Sequence, residues 1–332
     1  MAILVTGAAG FIGAATAEAL LAAGEQVVGI DNFNPYYDPA LKQARAARLS
    51  GRFGAALRMV SLDFADAAAL GDALDGIEID RIVHLGAQAG VRYSIDHPAA
   101  YIRSNLVGHA NLLELARTRR VAHFVYASSS SVYGANKSLP FRVEDRVDHP
   151  VSLYAATKKA DELMSEAYSS LYRLPATGLR FFTVYGPWGR PDMAMWTFTA
   201  ALLAGDPLPL YNGGEMRRDF TFIDDIVAGV VASFASPPAD DGSVKPGGSQ
   251  APHALYNLGN SRSEDLMRLI EVLEAATGKK ALLSPEPMQA GDVKDTFADI
   301  GAARSDFGFE PRTAIDEGVP RFVDWYRDYH QL

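Results

Sequence analysis

The sequence contains no cysteine, and this absence excludes several kinds of site. Without thiols there is no disulfide framework, no thiolate metal ligand and no cysteine nucleophile. Long apolar runs are also missing, because no stretch of about 18 uncharged apolar residues occurs, so we expect no membrane span. The chain enters a strand pattern at once, without the basic and apolar regions of a signal peptide. Together these features favour a soluble protein of the reducing cytoplasm.

Positive charge is scarce relative to negative charge. The chain has 31 Lys and Arg against 40 Asp and Glu, which gives a net charge of -9. A nucleic-acid partner is therefore not expected, because such a surface needs clustered cations. With 332 residues, 48% of them hydrophobic, the chain is long enough for a sizeable core. Its length predicts two domains, or one large α/β domain with an appended lobe.

A glycine-rich turn follows the first predicted strand, AILVT. Gly7, Gly10 and Gly13 stand in the stretch GAAGFIG, between that strand and an Ala-rich helix. In this position glycines allow a sharp turn, let the backbone approach a pyrophosphate, and let the helix pack closely on the strand. The amides at the helix N-terminus would face the anion. The pattern predicts dinucleotide binding, with Phe11 and Ile12 in the same turn.

Acidic residues end the next two predicted strands. Asp31 follows QVVGI and precedes Asn32, where a carboxylate binds the ribose hydroxyls of NAD and repels the 2'-phosphate of NADP. The alternative is an ordinary loop-capping Asp. A third strand is predicted to end at Asp63, before Phe64, where a carboxylate would accept from the adenine amino group.

Small and hydroxyl residues end the fourth and fifth predicted strands. The fourth is predicted over residues 81 to 90 and ends in small residues, which lets backbone pass close to a cofactor. The fifth, HFVYASSSSVYG, carries the serines Ser128 to Ser131. Ligands of open α/β sheets bind at such strand ends. Taken alone, however, a run of four serines is more often just a polar loop.

Tyr154 and Lys158 lie four residues apart in the predicted helix SLYAATKKADELM. Residues at this spacing share one helix face, so a phenol and an ammonium can project into one pocket. A fixed positive neighbour favours the phenolate, which makes Tyr154 a candidate proton shuttle. The alternative is an amphipathic helix with a buried Tyr and a solvated Lys.

The second half of the chain has a looser pattern. We predict a dinucleotide-binding domain over residues 1–178 and a mainly substrate-binding lobe over 179–332, with some segments returning to the first domain. The Pro, Gly and Ser-rich stretch 236–254 is predicted to be a mobile surface excursion without a function.

Taken together, GAAGFIG, Asp31, the serines and the Tyr154 and Lys158 pair resemble the extended short-chain dehydrogenase/reductase superfamily. Within it the chain looks most like the UDP-glucuronate 4-epimerases. The stretches that carry this second resemblance are DNFNPYYD, HLGAQAGVRYS, SSSSVYG, RFFTVYGPWGRPDM, NGGEMRRDFTFIDDI and QAGDVKDTFAD. The resemblance implies an α/β, Rossmann-type doubly wound parallel sheet with a smaller C-terminal substrate-binding lobe. It departs at Gly86, where the family usually has Ala, and at Gln289, where galactose-type epimerases usually have Arg.

The resemblance also implies the reaction and its residues. Tyr154, with Ser129 and Lys158, would take the 4-hydroxyl proton of a UDP-sugar as hydride leaves C4 for NAD. The 4-keto sugar would then present its other face and take the hydride back, so NAD is not consumed. The implied cofactor contacts are Gly7, Gly10, Phe11, Ile12, Gly13, Asp31, Asn32, Asp63, Phe64, Leu85, Gly86, Ala87, Gln88, Tyr154, Lys158 and Phe181. No metal ion is implied.

A uronate substrate adds a hazard, because a C4 ketone places the C5 carboxylate where it can be lost. Thr183, Arg190 and Ser130 are expected to hold the carboxylate away from the alignment that decarboxylation needs. Arg190 would pair with it through a planar guanidinium, although a surface loop cation is the alternative. No acidic residue lies within the serine stretch, which disfavours elimination and decarboxylation. Of the other implied substrate contacts, Arg92 lies in the loop after the fourth strand, and Tyr211, Arg218 and Asp292 would contact uracil, the diphosphate and the uridine ribose.

Several alternatives stay open at this point. A 4-epimerase of neutral UDP-hexoses would share every catalytic residue, and only Thr183 with Arg190 discriminates against it. Two further hypotheses are a net oxidoreductase or dehydratase and a catalytically inactive dinucleotide sensor. By resemblance, a homodimer would form by packing of the helices that carry Asn105 and Tyr154, although an intramolecular core would explain their apolar content as well.

Overall fold

The computed structural model of the chain describes residues 1–288 and 293–332. Asp292 and Gln289, which the sequence analysis singled out, lie outside these residues. The first half of the chain contains β1 (Ala2–Thr6), α1 (Phe11–Ala22), β2 (Val27–Asp31), α2 (Pro39–Phe53), β3 (Leu57–Ser61), α3 (Ala67–Ala73), β4 (Ile79–His84), α4 (Tyr93–Asp96), α5 (Pro98–Tyr101), a π-helical turn (Ile102–Val107), α6 (Gly108–Arg119), β5 (His123–Ser129) and α7 (Leu153–Tyr172).

The second half is built from shorter elements. It contains β6 (Ala176–Phe181), β7 (Thr183–Tyr185), α8 (Ala194–Ala204), β8 (Pro207–Tyr211), β9 (Arg217–Arg218), β10 (Phe220–Phe222), α9 (Ile223–Phe234), β11 (His253–Leu258), β12 (Glu264–Asp265), α10 (Leu266–Thr277), β13 (Leu282–Glu286), α11 (Gly301–Phe307) and α12 (Ile315–His330). Short 3-10 turns lie at Gly54–Ala56, Ser130–Tyr133 and Asn212–Gly214.

Seven strands form one parallel sheet in the order β11, β6, β5, β4, β1, β2, β3. Alternate residues of a strand point to opposite faces. Accordingly Ile3 and Val5 of β1 join a core that includes residues of α1 and α9, whereas Leu4 joins a second core with residues of α3 and α6. Both faces of the sheet are therefore covered by helices, and the predicted doubly wound parallel sheet is confirmed.

The smaller lobe consists of paired short strands. β7 pairs with β10 and β8 with β13, both in parallel, and β9 pairs with β12 in antiparallel fashion. The predicted division at residues 178 and 179 falls inside β6, and β11 returns to the main sheet, so the domain boundary stays a prediction.

Two strands end earlier than the sequence pattern predicts. β3 ends at Ser61 instead of Asp63. β4 ends at His84, whereas the prediction ran from residue 81 to residue 90. The chain leaves the ladder after Leu85, because the next amide, that of Gly86, donates to the Thr6 hydroxyl at 3.1 Å instead of to a strand carbonyl. This early end places residues 86 to 90 in a loop above the sheet.

The polar stretch 236–254 is tied to the rest of the molecule by hydrogen bonds. The Ser249 hydroxyl donates to Glu166 of α7 at 2.8 Å, and the amide of Leu255 donates to the carbonyl of Pro246 at 2.9 Å. His253 is buried and its ring contacts the Glu166 carboxylate at 2.8 Å. Residues 236 to 250 lie at the surface, as predicted, but these polar contacts fix the stretch to the rest of the molecule. Its predicted mobility and lack of a function stay predictions.

Across residues 1–288 and 293–332, no helix has both the length and the apolar character that a membrane span requires. The same residues contain no group of three or more acidic or histidine side chains arranged to hold a metal ion.

Candidate active site

A cavity of about 650 Å³ lies at the carboxyl ends of the central strands. Residues of both halves of the chain line it, as expected for an open parallel sheet whose ligands bind at these ends. The predicted site residues that line it are Gly7, Gly10, Phe11, Ile12, Gly13, Asp31, Asn32, Phe64, Leu85, Gly86, Ala87, Gln88, Arg92, Ser129, Ser130, Tyr154, Lys158, Phe181, Thr183, Arg190, Tyr211 and Arg218. Residues separated by up to about 200 positions in the sequence thus surround one space.

The glycine-rich turn is packed too closely to accept side chains at its glycine positions. Gly7 adopts φ +66°, which disfavours any residue with a side chain. A Cβ on Gly13 would lie 2.0 Å from the carbonyl oxygen of Gly7, and one on Gly10 would lie 2.9 Å from the same atom. Since α1 begins at Phe11, its first amides lie at this turn. The turn fits the pyrophosphate of a dinucleotide, which binds at such a helix N-terminus.

Gly86 is tightly enclosed opposite this turn. A Cβ there would lie 2.6 Å from the ring of Phe64 and 3.0 Å from the amide nitrogen of Gly7. The alanine that is usual in the resembling family would therefore need Phe64 to shift. The Phe64 ring therefore packs against the backbone of Gly86 in space that a side chain would otherwise occupy.

Asp31 both caps a loop and lines the cavity. One carboxylate oxygen accepts from the amide of Ala9 at 3.1 Å and the other from the amide of Phe33 at 2.9 Å. The loop-capping interpretation of Asp31 is confirmed, and the same bonds fix its carboxylate at the cavity, where its contact with a ribose stays a prediction. Asp63 differs, because it is not among the lining residues and accepts from Ala65 and from Arg103, each at 2.9 Å. Its predicted adenine contact has no support.

Helix α7 brings Tyr154 and Lys158 to the cavity. Its first turn is fixed by Ser152, whose hydroxyl accepts from the amide of Ala155 at 3.1 Å. The Lys158 ammonium is almost fully buried and donates to the Ala127 carbonyl at 2.9 Å and to Asp161 at 3.0 Å. Lys158 is therefore not the solvated lysine of an ordinary amphipathic helix.

The four serines span the end of β5 and the turn after it. The Ser129 hydroxyl accepts from the amide of Ser131 at 3.1 Å, so its own hydrogen is left to donate into the cavity. The Ser128 hydroxyl points the other way and donates to Glu162 at 2.7 Å. Alternation along the strand thus directs the Ser128 hydroxyl toward α7 and the Ser129 hydroxyl away from it, while both residues line the cavity.

A buried ion pair supports the serine strand, and the sequence analysis missed it. Arg180 of β6 donates through Nε and Nη2 to the two oxygens of Glu162, at 2.7 and 2.9 Å. Each side chain is 1% exposed. Burial would raise the pKa of Glu162, but the Arg180 guanidinium holds it below its ordinary value. Glu162 lies one helical turn after Lys158, which was the available signal.

Arg190 is already paired within the chain. Its Nε donates to Asp192 at 3.0 Å and its Nη2 at 2.5 Å, and the Tyr36 hydroxyl donates to the same carboxylate at 3.0 Å. Burial opposes ionisation of Asp192, but Arg190 holds its pKa below the ordinary value. Burial, followed by the Asp192 charge, raises the pKa of Tyr36 to about 12. The expectation of an Arg190 free for a substrate carboxylate was incomplete, because Asp192 competes for it.

Arg45 connects the cofactor side of the cavity to the substrate side. This fully buried guanidinium makes five hydrogen bonds, to the carbonyls of Ala9, Trp188 and Gly189 and to the Tyr37 hydroxyl, between 2.6 and 3.1 Å. Trp188 has φ +63°, an uncommon conformation for a residue with a side chain. The sequence pattern gave no signal for this role, because its acceptors lie as far as 144 residues away.

Replacement of Arg45 by methionine is expected to lower the free energy of unfolding by about 3 kcal/mol, because buried carbonyls lose their donors. Denaturant unfolding measures this change. Arg48 on the same helix is the matched control: it pairs with Glu18 and is 32% exposed, so Arg48→Met should cost about 1 kcal/mol or less. Equal losses for the two variants would contradict the role of Arg45.

The substrate side of the cavity is formed by the smaller lobe and the loop after β4. The Arg92 guanidinium lies 5.3 Å from the ring centre of Tyr211, at the end of β8. Arg218 donates to the carbonyls of Lys294 and Arg217, at 2.8 and 3.0 Å. Thr183 begins β7, and one residue, Phe182, separates it from the end of β6. These cations and the aromatic ring suit a phosphorylated ligand that carries a base.

Fold and site together define an enzyme of the short-chain dehydrogenase/reductase type, with a dinucleotide turn, a tyrosine and lysine on one helix, and a separate lobe for a second ligand. The chain belongs to the NAD dependent epimerase/dehydratase family, whose model matches residues 3–244.

Individual proteins extend this similarity over the whole chain. A probable UDP-glucuronate 4-epimerase of Rhizobium meliloti is 46% identical, over 98% of this chain and 97% of that protein. A crystal structure of the UDP-glucuronic acid 4-epimerase of Bacillus cereus, in complex with UDP-glucuronic acid and NAD, is 32% identical with a TM-score of 0.88, and the match covers 99% of this chain and 100% of that one. A UDP-glucose 4-epimerase of Thermotoga maritima with UDP-glucose is 26% identical with a TM-score of 0.87, over 99% of this chain and 100% of that one.

Proposed function

We propose that the chain catalyses the reversible NAD-dependent 4-epimerisation of UDP-glucuronate to UDP-galacturonate, through a 4-keto intermediate and without decarboxylation. The observation that carries the proposal is one cavity lined by a dinucleotide turn, by Ser129, Tyr154 and Lys158, and by Thr183 and Arg190. Its relatives of uronate-epimerase type support the same substrate class.

NAD fits the residues of the first half of the chain. The turn from Gly7 to Gly13 would hold the pyrophosphate and Asp31 the adenosine ribose, and Lys158 would reach the nicotinamide ribose. When bound, NAD would supply the acceptor for the hydride that leaves C4 of the sugar and, once reduced, the donor that returns it. The enzyme ends each turnover with the cofactor in its starting form, so no added NAD is needed.

The protein's own residues move the proton and fix the sugar. Ser129 and Tyr154 bind the 4-hydroxyl, and Tyr154 takes its proton as C4 becomes a carbonyl. The Lys158 ammonium favours the phenolate form that this step needs. The sugar then turns about its linkage to the diphosphate and presents the other face of C4. Tyr154 returns the proton to the C4 oxygen as the hydride adds to that face. Arg92, Tyr211 and Arg218 hold the nucleotide meanwhile, and Asp292 remains a proposed contact.

The uronate carboxylate is proposed to bind Ser130, Thr183 and Arg190. Decarboxylation needs the bond between C5 and the carboxylate to align with the π system of the C4 carbonyl. These groups hold the carboxylate in another orientation, which suppresses loss of carbon dioxide. The Asp192 carboxylate occupies one edge of the Arg190 guanidinium, so hydroxyl donors carry more of this recognition than Arg190 alone. No acid in the Ser128 to Ser131 stretch is available to move a proton at C5.

A panel of substrates tests the proposal. Purified protein without added NAD is incubated with UDP-glucuronate, UDP-glucose and UDP-N-acetylglucosamine, and the products are separated by chromatography. We expect UDP-galacturonate from the first and little product from the neutral sugars. Faster turnover of a neutral sugar would support the alternative, a 4-epimerase of neutral UDP-hexoses, which the similarity to a UDP-glucose 4-epimerase keeps open. Stoichiometric NADH release or loss of water would indicate a net oxidoreductase or dehydratase.

Arg190→Ala is expected to lower kcat/KM for UDP-glucuronate at least about tenfold more than for UDP-glucose. A charge-assisted hydrogen bond to the carboxylate contributes about 1.5–3 kcal/mol, and the neutral sugar lacks it. Arg146→Ala serves as control, because that side chain is 88% exposed and lies outside the cavity. Equal losses on both substrates would count against a role for Arg190 in choosing the uronate.

A homodimer is proposed on the exposed apolar residues around α6 and α7. Ile102 and Val107, in the turn before α6, and Leu163 and Leu171 of α7 are between 43% and 71% exposed. An unpartnered apolar face of this kind is typical of an interface. Light scattering after size exclusion tests this proposal, and a monomer at micromolar concentration would contradict it. The cytoplasmic location expected from the sequence stays a prediction.

A further inference from the structure

Asp161 lies in the interior of the molecule, in contact with Lys158. It is fully buried on α7, three residues after Lys158, and its Oδ2 accepts from the Lys158 ammonium at 3.0 Å. Its other oxygen, Oδ1, has no hydrogen-bond partner among the residues that the structure describes. Since a buried carboxylate without further donors is costly, the Lys158 ammonium is what stabilises its charge.

The other ionisable groups around Lys158 and Asp161 do not supply a free charge, and the groups that face Tyr154, namely Arg190 and Tyr101, are left unchanged by a substitution at Asp161. Glu162, the next residue on α7, is paired through both oxygens with Arg180 of β6 and also contacts Lys159. Burial lowers the pKa of His109 on α6 and of His84 on β4 well below the ordinary value, so both rings are neutral near pH 7. Burial raises the pKa of Tyr126 on β5, which is neutral as well. Asp161 is therefore the carboxylate that offsets the Lys158 charge.

We propose that Asp161 is a positioning residue that holds the Lys158 ammonium behind Tyr154 and reduces the positive field that Lys158 exerts on the phenol. Two bonds, to the Ala127 carbonyl and to Asp161, fix the direction of the ammonium. The third N–H is left for a ligand in the cavity that Lys158 lines. The inference rests on the proposed function of the Tyr154 site.

Removal of the Asp161 charge should therefore make Tyr154 a base at lower pH. Burial raises the pKa of Asp161 to about 6, with Lys158 opposing the rise, so at neutral pH its carboxylate is largely ionised. Asp161→Asn removes the charge and keeps a carbonyl oxygen that can accept from Lys158. The uncompensated ammonium then favours the phenolate more strongly than in the parent enzyme.

The test is the pH dependence of kcat for the parent enzyme, Asp161→Asn and Asp161→Glu. We expect the acid limb to move to lower pH by about half a unit or more in Asp161→Asn, so that this variant is the faster enzyme on the part of that limb above about pH 6, where Asp161 of the parent is ionised. Asp161→Glu, which restores the charge, should move the limb back toward the parent position. A profile for Asp161→Asn that coincides with the parent, or moves to higher pH, would overturn the proposal.

Two controls keep the outcome clear. Glu166→Gln removes one negative charge from the same helix at a side chain that is 40% exposed, and should leave the acid limb in place. If Asp161→Asn does not fold, Asp161→Ser carries the same test with a smaller neutral acceptor.

A measurement that needs no turnover distinguishes failure of the Asp161 proposal from failure of the proposed function. Carbon-13 NMR of labelled tyrosine, assigned with Tyr154→Phe, follows the titration of Tyr154 in the NAD-bound protein. The proposal requires a lower midpoint in Asp161→Asn than in the parent, whichever sugar is the substrate. An unchanged midpoint overturns it.

Discussion

Tyr154→Phe is expected to lower kcat for UDP-glucuronate by about a thousandfold while NAD remains bound. The variant keeps the ring and its packing near Tyr101, whose ring centre lies 6.0 Å away, but it has no hydroxyl to take the 4-hydroxyl proton. General acid-base catalysis by one side chain contributes about 10²–10⁴-fold, which sets the size of the loss. Product formation is measured by chromatography and bound NAD by its release on denaturation.

Tyr168→Phe is the matched control, because Tyr168 lies on the same helix and its hydroxyl donates to the partly exposed Glu114. It should retain nearly full activity. A Tyr154→Phe enzyme within tenfold of the parent would show that another group moves the proton. A variant with neither activity nor NAD would leave a sensing or structural role for Tyr154 instead.

Arg180→Met is expected to be the most destabilising single change at the site. It leaves the buried Glu162 with the partly exposed Lys159 as its remaining cation in place of the bidentate Arg180, and breaking a buried ion pair in this way costs about 3–5 kcal/mol. Denaturant unfolding at pH 7 measures the loss. Arg180→Met with Glu162→Leu should be more stable than Arg180→Met alone, because no buried charge is then left unpaired. If the double variant is no more stable, the ion pair is not the cause.

The Arg180→Met effect should also depend on pH. In the parent the folded pKa of Glu162 lies below its unfolded value, so the ion pair contributes fully above the unfolded pKa and its contribution is lost as the pH falls through the folded pKa. The difference in stability between parent and Arg180→Met should therefore shrink as the pH falls below about 4.5. A constant difference across that range would argue that lost packing, not charge, explains the effect.

The parts of the site that the sequence predicted are those encoded within one short segment. The turn from Gly7 to Gly13 and the pair on α7 each have their chemistry within a few residues of one another. Spacing and local structure were therefore enough to recognise them. The parallel sheet followed in the same way, because each buried strand alternates with a helix.

The parts that were missed depend on contacts across the fold. Arg45 could not be singled out from the sequence, because its acceptors at Trp188 and Gly189 come near only after folding. Arg180 was missed for the same reason, although the position of Glu162 one helical turn after Lys158 was a signal that an acid lies close to the site. Asp192 is different, since it lies two residues after Arg190 and a closer reading of that loop could have found the competition.

The central claim is that the same hydride leaves C4 and returns to it from the opposite side. UDP-glucuronate carrying deuterium at C4 tests this most directly, with the enzyme in ordinary water and no NAD added. The account predicts UDP-galacturonate that retains the deuterium at C4, together with a slower turnover than the unlabelled sugar if hydride transfer limits the rate. Loss of the deuterium to solvent, or product formed only in proportion to added NAD, would contradict it.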